Sequence, residues 1–287
     1  MKKLVILGGG ESGKGTAILG RKMGYDVFLS DAGTISSEVK SKLDALGISW
    51  EEKLHSIDRI LAADIVMKSP GIPEHVAVVK QLRAAGVSIQ SEIEFAAQHS
   101  KAKLIGITGS NGKTTTTLLA HHLLKEAGLN VGIAGNIGES FAQKVAEENH
   151  AYYVLEISSF QLDDIQNFAP EIAVITNITP DHLDRYNDDF SLYVKSKLRI
   201  TSNQGSNQFL LFNADDPVLI EALQASSTAA QKIPFGYTNT SPLGASYANE
   251  EIKIIEKKST TMISTTQFPL QGRHNLLNAM AAVSVAR

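Results

Sequence analysis

A glycine loop set between an apolar run and an apolar-periodic segment limits this chain more than any other stretch. Residues 108–117 read Thr-Gly-Ser-Asn-Gly-Lys-Thr-Thr-Thr-Thr. Leu104-Ile105-Gly106-Ile107 comes before them, and the periodic segment Leu118 to Ala127 follows. Strand, glycine turn and helix in that order aim backbone N–H groups and a helix N-terminus at one place, which suits a phosphate. Lys113 can reach a terminal phosphate, and the Thr114 hydroxyl can hold Mg²⁺. Gly109, Ser110, Asn111, Gly112, Lys113, Thr114 and Thr115 are therefore expected to bind a nucleoside triphosphate. Ordinary P-loop spacing would put glycine at 107, where the chain has Ile107, so the loop is a variant. The alternative is a glycine turn with a surface lysine, which the Gly-Lys-Thr context disfavours.

The surrounding sequence sets these elements in an α/β chain. Its 287 residues suffice for about two domains. Leu4–Leu7, Val27–Leu29, Asp64–Met67 and Val87–Ile89 read as strands, with a helix over Thr16–Met23, and this alternation implies a parallel, doubly wound sheet. The polar stretch Gln98-His99-Ser100-Lys101 reads as a linker. We expect a Rossmann-like domain over residues 1–98 and a P-loop-type α/β domain over 99–287. In the second, Leu104–Thr108, Tyr152–Ile157, Ile172–Thr176 and Phe209–Phe212 are the strands. Residues 243–270 form a small β excursion, and Leu276–Ala286 a helix cut short by the chain end. With 27 basic against 30 acidic residues, nothing favours nucleic acid or an anionic membrane. No cysteine is present, which excludes disulfides and thiolate metal sites. No apolar run is long enough for a signal core or a membrane span. The expectation is a cytoplasmic protein, taken as a monomer.

A second glycine cluster opens the chain. Gly8-x-Gly10-x-x-Gly13 follows a strand and opens a helix, and Asp31 ends the next strand. This matches the dinucleotide fingerprint, in which the acid takes a ribose hydroxyl, and a nucleotide-linked substrate would use the site equally well. The same residues match a P-loop through Lys14, but Gly15 stands where the Mg²⁺ hydroxyl belongs. Ser69-Pro70-Gly71-Ile72-Pro73 follows another strand and would face the same crevice. A tight turn without a ligand is the alternative for both.

Three further residues could carry chemistry. Glu156 interrupts the apolar strand Tyr153-Val154-Leu155, and a charge in a buried strand needs a partner. At the strand's carboxyl end it could bind the Mg²⁺ held by Thr114. His182, in Asp181-His182-Leu183-Asp184-Arg185, could be a ligand of a second metal or a hydrogen-bonded loop histidine. In the helix after Asp189, Phe190, Tyr193, Val194, Lys197 and Leu198 form one stripe, which puts Lys197 but not Lys195 on the buried face. Spacing alone favours a snorkelling lysine over a chemically altered one.

Together these residues resemble the Mur ligase family of peptidoglycan synthesis. The resemblance rests on Thr108–Thr114, Gly135-Asn136-Ile137-Gly138, Leu155–Leu162, Asp181–Tyr186, Asn213-Ala214-Asp215-Asp216 and Gly272-Arg273-His274-Asn275, and it spans the whole chain. The Ser-Ser-Phe-Gln-Leu run, the Ser69–Ile72 turn and the short first domain are most like the member that joins D-glutamate to UDP-N-acetylmuramoyl-L-alanine. The resemblance implies phosphorylation of the substrate carboxylate by ATP, attack on the acyl phosphate by the D-glutamate amine, and release of ADP and phosphate. It implies UDP near Ser12, Asp31, Ser69, Pro70 and Gly71, and muramoyl contacts from Asn136, Ser158 and Gln161. It places adenine near Asn275 and Asn278. Lys113 would steady the phosphate, Thr114 and Glu156 would hold one Mg²⁺, and His182 with a carbamylated Lys197 would serve a second. Family members carry a further C-terminal domain that helps bind the amino acid, so a chain ending at Arg287 is expected to bind without ligating.

Three other readings stand beside this one. Another Mur ligase or a folylpolyglutamate synthase-like ligase would share the loop but not the Ser158–Leu162 run. A nicotinamide oxidoreductase would use Gly8–Gly13 and leave Lys113, Glu156 and His182 unexplained. A non-catalytic nucleotide-binding module is the third.

Overall fold

The computed structural model describes residues 1–257 and 259–287; Lys258, within the expected β excursion, lies outside the described residues. The chain divides into two compact units. The first gathers residues 1–101 with 134–149 and 160–168, and the second holds 102–133, 150–159 and 169–287.

In the first unit β1 (Lys3–Leu7), α1 (Glu11–Lys22), β2 (Asp26–Asp31), α2 (Ser37–Ala45), β3 (Ser49–Glu52), α3 (Ile57–Leu61), β4 (Ile65–Lys68), α4 (Ala77–Ala84), β5 (Ile89–Gln90) and α5 (Glu92–Gln98) alternate. The strands form one sheet in the order β3-β2-β1-β4-β5, parallel throughout. Leu4, Val5, Ile6 and Leu7 are buried, as a strand covered on both faces requires. The strand order reverses between β1 and β4, so the turns after those strands share the crevice. Helix α1 begins at Glu11 rather than Thr16, because Gly13 and Gly15 are tolerated inside it. A Cβ on Gly13 would lie 1.9 Å from the Gly8 carbonyl oxygen, so only glycine lets helix and strand approach this closely.

The second unit is built on β6 (Lys103–Thr108), α6 (Lys113–Glu126), β7 (Val131–Gly135), β8 (Tyr152–Glu156), β9 (Ile172–Ile175), α9 (Phe190–Leu198), β10 (Phe209–Asn213), α10 (Pro217–Gln224), β11 (Gln231–Phe235), β12 (Gly244–Ala248), β13 (Glu251–Ile255), β14 (Thr260–Ser264) and α11 (Arg273–Val285); α7 (Phe141–Glu147) and the short α8 (Ser159–Leu162) fall between. The sheet order is β14-β13-β12-β11-β10-β9-β6-β8-β7. Strands 12 to 14 pair antiparallel and extend the same sheet, as the alternating pattern of 243–270 implies. The sequence reading left β3, β7 and β11 unassigned. Strand β11 contains Pro234, which has no N–H for a ladder, and its pairing with β12 is the single register Phe235↔Ala245.

Two carboxylates hold the later segments of the first unit to α5. Glu94, fully buried, accepts from the backbone N–H groups of Gln166, Asn167 and Phe168 at 2.8 to 3.1 Å. Glu92 Oε1 accepts from Ser140 Oγ at 2.8 Å and Ala142 N at 2.6 Å, while Oε2 is buried without a partner. Burial pushes the Glu92 carboxyl from 4.5 up to about 7, against the hydrogen bonds from Ala142, Ser140 and Phe141. The folded state therefore holds a proton that the unfolded chain releases, and this stabilisation is complete at low pH and lost as pH rises through the window from 4.5 to about 7. The shift corresponds to about 3 kcal/mol. In Glu92→Gln that slope should flatten, seen as a melting temperature that changes less than the parent's across the window; parallel curves would sink the assignment.

Candidate functional site

The loop after β6 is shaped by its glycines. Gly109 has φ +150°, and a Cβ there would lie 1.9 Å from Thr176 Oγ1 at the end of β9. Gly112, with φ +82°, is the N-cap of α6, and its Cβ would meet Asn278 Oδ1 at 2.3 Å. The neighbouring strand ends fix the intervening residues. Ser110 Oγ donates to Thr179 O at 2.8 Å and accepts from Thr179 N, and Asn111 N donates to Asn177 Oδ1 at 2.9 Å. Thr176 Oγ1 donates to Asn111 O at 2.7 Å. The first turn of α6, beginning at Lys113, thus opens at the carboxyl ends of β6, β8 and β9.

Two lysines converge on this loop. Lys113 Nζ donates to Gly109 O at 2.9 Å and Ser110 O at 2.8 Å, and Lys197 Nζ donates to Gly109 O at 2.7 Å. Burial lowers the pKa of Lys113, while Glu156 and Asp181 pull it the other way. Lys197 is 2% exposed and its ammonium lies 4.6 Å from the centroid of Tyr193, whose hydroxyl is 3.0 Å from Ser110 Oγ. The buried face predicted for α9 is present, with Lys195 exposed, but the snorkelling expectation fails: the Lys197 head group stays under the loop instead of reaching water. Tyr193, Thr176, Asn177, Thr179 and Asp181 were not singled out as site residues. The Thr-Asn-Ile-Thr run before Asp181 was the available signal, since polar residues ending a buried strand have a partner to meet.

Thr114 Oγ1 donates to Glu156 Oε2 at 2.7 Å, and Glu156 is 2% exposed. This hydroxyl–carboxylate pair at a helix N-terminus fits one Mg²⁺, which usually takes one or two protein oxygens together with water and phosphate oxygens. The second metal expected from His182 and Lys197 finds no such cluster. Among the described residues no group of three or more His, Asp or Glu side chains gathers to hold a metal. The His182 side chain is 58% exposed and its Nε2 lies 3.6 Å from Asp181 Oδ2, on a residue whose φ is +50°. Asn278 packs behind the loop, with Thr116 Oγ1 at 3.4 Å from its Oδ1, and Asn275 Nδ2 donates to Gln271 O at 2.7 Å.

In the first unit the crevice between β1 and β4 brings the glycine cluster and the Ser-Pro-Gly turn together. Ser69 N donates to Leu7 O at 3.0 Å, and a Cβ on Gly8 would meet Ser69 Oγ at 2.7 Å. Asp31 lies across the turn, accepting from Gly9 N at 2.5 Å and Gly33 N at 2.6 Å. Gly10 has no neighbour within 4 Å of a Cβ position, which leaves its backbone open to close approach. Ser12 is half-buried in the first turn of α1. Lys14 is paired with Glu11 at 3.0 Å, in keeping with the discounted P-loop reading there. Asn136 is exposed between Gly135 and Gly138, both at positive φ; Gln161 is buried on α8, and Ser158 is half-buried just before it.

The Mur ligase middle domain matches residues 107–286, and the MurD N-terminal domain matches residues 3–78. The chain belongs to the Mur ligase family. This Mur ligase chain is 50% identical over 286 residues to the UDP-N-acetylmuramoylalanine–D-glutamate ligase of Christiangramia forsetii, covering all of this chain and 64% of that protein. Against the protein of that name from Cytophaga hutchinsonii the identity is 44%, covering 99% of this chain and 64% of that one. It spans less than two thirds of the length of these relatives. Among solved structures, the UDP-N-acetylmuramate:L-alanyl-gamma-D-glutamyl-meso-diaminopimelate ligase from Neisseria meningitides superposes with TM-score 0.65 at 22% identity, covering 100% of this chain and 93% of that one. The UDP-N-acetylmuramate–alanine ligase of Thermotoga maritima gives 0.55 at 22%, covering 99% and 64%. These likenesses establish the fold. No helix among the described residues is long and apolar enough to cross a membrane.

The Mur ligase loop should not tolerate a side chain at its first glycine. Gly109→Ala is expected to cost about 2 kcal/mol or more through the contact with Thr176. Thermal denaturation checks this, and a fully stable variant would contradict the geometry described.

Proposed function

We propose that this chain carries the substrate- and ATP-binding parts of an enzyme that adds D-glutamate to UDP-N-acetylmuramoyl-L-alanine in peptidoglycan synthesis, in the cytoplasm. The observation that carries the reading is the pairing of two different glycine turns with close relatives of that name. One turn, with Asp31 across it, suits a nucleotide-linked substrate; the other, with Lys113 and the Thr114–Glu156 pair, suits a triphosphate. We assign residues 1–98 to the uridine-linked substrate and 99–287 to ATP. Ser12, Asp31, Ser69, Pro70 and Gly71 take the UDP, and Asn136, Ser158 and Gln161 the muramoyl part. The loop from Gly109 to Thr115 takes the phosphates, with Asn275 and Asn278 toward the adenine.

The chemistry follows from charge. A substrate carboxylate oxygen forms a bond to the γ-phosphorus as the bond to the ADP oxygen breaks, giving an acyl phosphate. The D-glutamate amine then attacks the acyl carbon, loses a proton, and phosphate leaves with the carbon–oxygen electron pair. The first step gathers several negative charges, so electrostatic stabilisation supplies most of the rate. Lys113 leaves the Gly109 and Ser110 carbonyls to follow the transferring phosphate. Magnesium held at Thr114 and Glu156 would neutralise phosphate charge. A carbamate on Lys197 would turn that cation into an anionic ligand for a second Mg²⁺, shared with His182.

Titration of UDP-N-acetylmuramoyl-L-alanine into the chain by calorimetry tests the first-unit assignment, with uridine-free muramoyl-alanine and NADH as controls. Binding should require the uridine and weaken about tenfold or more in Asp31→Ala. Binding of NADH in preference would overturn the reading. For the second unit, Thr114→Val should weaken ATP about tenfold in the presence of Mg²⁺ and little in its absence. An equal loss in both conditions would remove Thr114 from the metal.

A further inference from the structure

Strand β4 ends on a lysine whose ammonium is almost wholly buried. The Lys68 side chain is 4% exposed. Its Nζ lies 3.0 Å from Asp164 Oδ2, 2.9 Å from Glu74 Oε1 and 3.1 Å from the Ile72 carbonyl oxygen. An ammonium has three protons, and here each has one acceptor. Asp164, 2% exposed, also accepts from Arg83 Nη2, and Arg83 reaches Glu74 at 3.3 Å, so two cations and two anions close a neutral ring. The Asp164 backbone oxygen accepts from Ser91 N at 3.0 Å, which ties the same residue to the end of β5.

Position gives this ring its meaning. Lys68 immediately precedes Ser69-Pro70-Gly71-Ile72, the turn that crosses the β1–β4 crevice. Ser69 N is tied to Leu7 O at one end of the turn, and Lys68 Nζ grips Ile72 O at the other. Asp164 stands three residues after Gln161, on the 160–168 segment that belongs to the first unit. One buried ion pair therefore joins two stretches that are far apart in sequence. A neutral ion ring is no better for stability than apolar packing of the same volume, so its particular contribution is directional.

We propose that Lys68 and Asp164 are positioning residues for the uridine-diphosphate sugar, fixing the Ser69–Gly71 turn and the Gln161 segment in one frame. The inference rests on the functional reading above, because it takes those two stretches as substrate contacts. Held rigidly, they meet the ligand without an ordering cost; released, each must be ordered as the ligand binds.

The test is calorimetry of UDP-N-acetylmuramoyl-L-alanine and, separately, of ATP with Mg²⁺, on the unaltered chain, Lys68→Met, and the charge-free pair Lys68→Met with Asp164→Leu. The single variant strands a buried carboxylate and can fail to fold; the pair removes both charges and keeps the fold. In the pair the dissociation constant for the sugar nucleotide should rise about tenfold, with ATP unchanged. Adding Ser69→Ala should then cost less than it does in the unaltered chain, because a displaced turn has less contact to lose. If the pair folds and binds the sugar nucleotide as the parent does, Lys68 and Asp164 are structural only and the inference is wrong. Failure of the unaltered chain to bind the sugar nucleotide overturns the functional reading and takes the inference with it.

Discussion

Two ammonium groups share one carbonyl oxygen in this molecule, and much of the second unit is arranged around that fact. Lys113 and Lys197 both donate to Gly109 O. Like charges under a partly buried loop repel strongly, because little water screens them. Glu156 and Asp181 supply compensating charge, and the aromatic face of Tyr193 receives the second cation. The glycine at 109 makes this possible, since its missing side chain lets the peptide lie against Thr176 with its oxygen toward the lysines. The two cations are thus held in place by the carbonyl, the ring and the carboxylates together. A bound triphosphate would take over from the carbonyl as partner for Lys113.

The first unit reaches a similar result with less charge. The strand order reverses beside β1, so the turns after β1 and β4 have no helix between them, and Asp31 holds the glycine turn through Gly9 N with one carboxylate oxygen and its own loop through Gly33 N with the other. The open backbone at Gly10 and the carboxylate of Asp31 suit a ligand that carries both phosphate and ribose hydroxyls.

The legible part of the sequence was the local part. Both glycine turns, the acid at the end of β2 and the acid at the end of β8 could be placed because each lies close behind a short apolar run. The stripe on α9 correctly put Lys197 inside, but spacing along one helix says nothing of what the helix covers, so the Gly109 contact was out of reach. Strand β11 was hidden by Pro234, which reads as a breaker until its weakly paired neighbour is seen. Lys68 was not singled out, since its partner Asp164 comes from a segment whose place in the first unit no local pattern announces. His182 was legible as a loop residue, but its left-handed backbone and its exposed ring beside Asp181 were not.

The first unit is assembled from three separate lengths of chain, the last ending at residue 168. A polypeptide emerging from the ribosome presents β1 to α5 long before the segment that Glu94 caps and Lys68 grips. Until then Glu94, Glu92 and Lys68 must remain solvated, because burying them without those partners would be costly. The five-stranded sheet can form early, but its polar interior cannot close until well into synthesis of the second unit, so the two units are expected to mature together and not in sequence order.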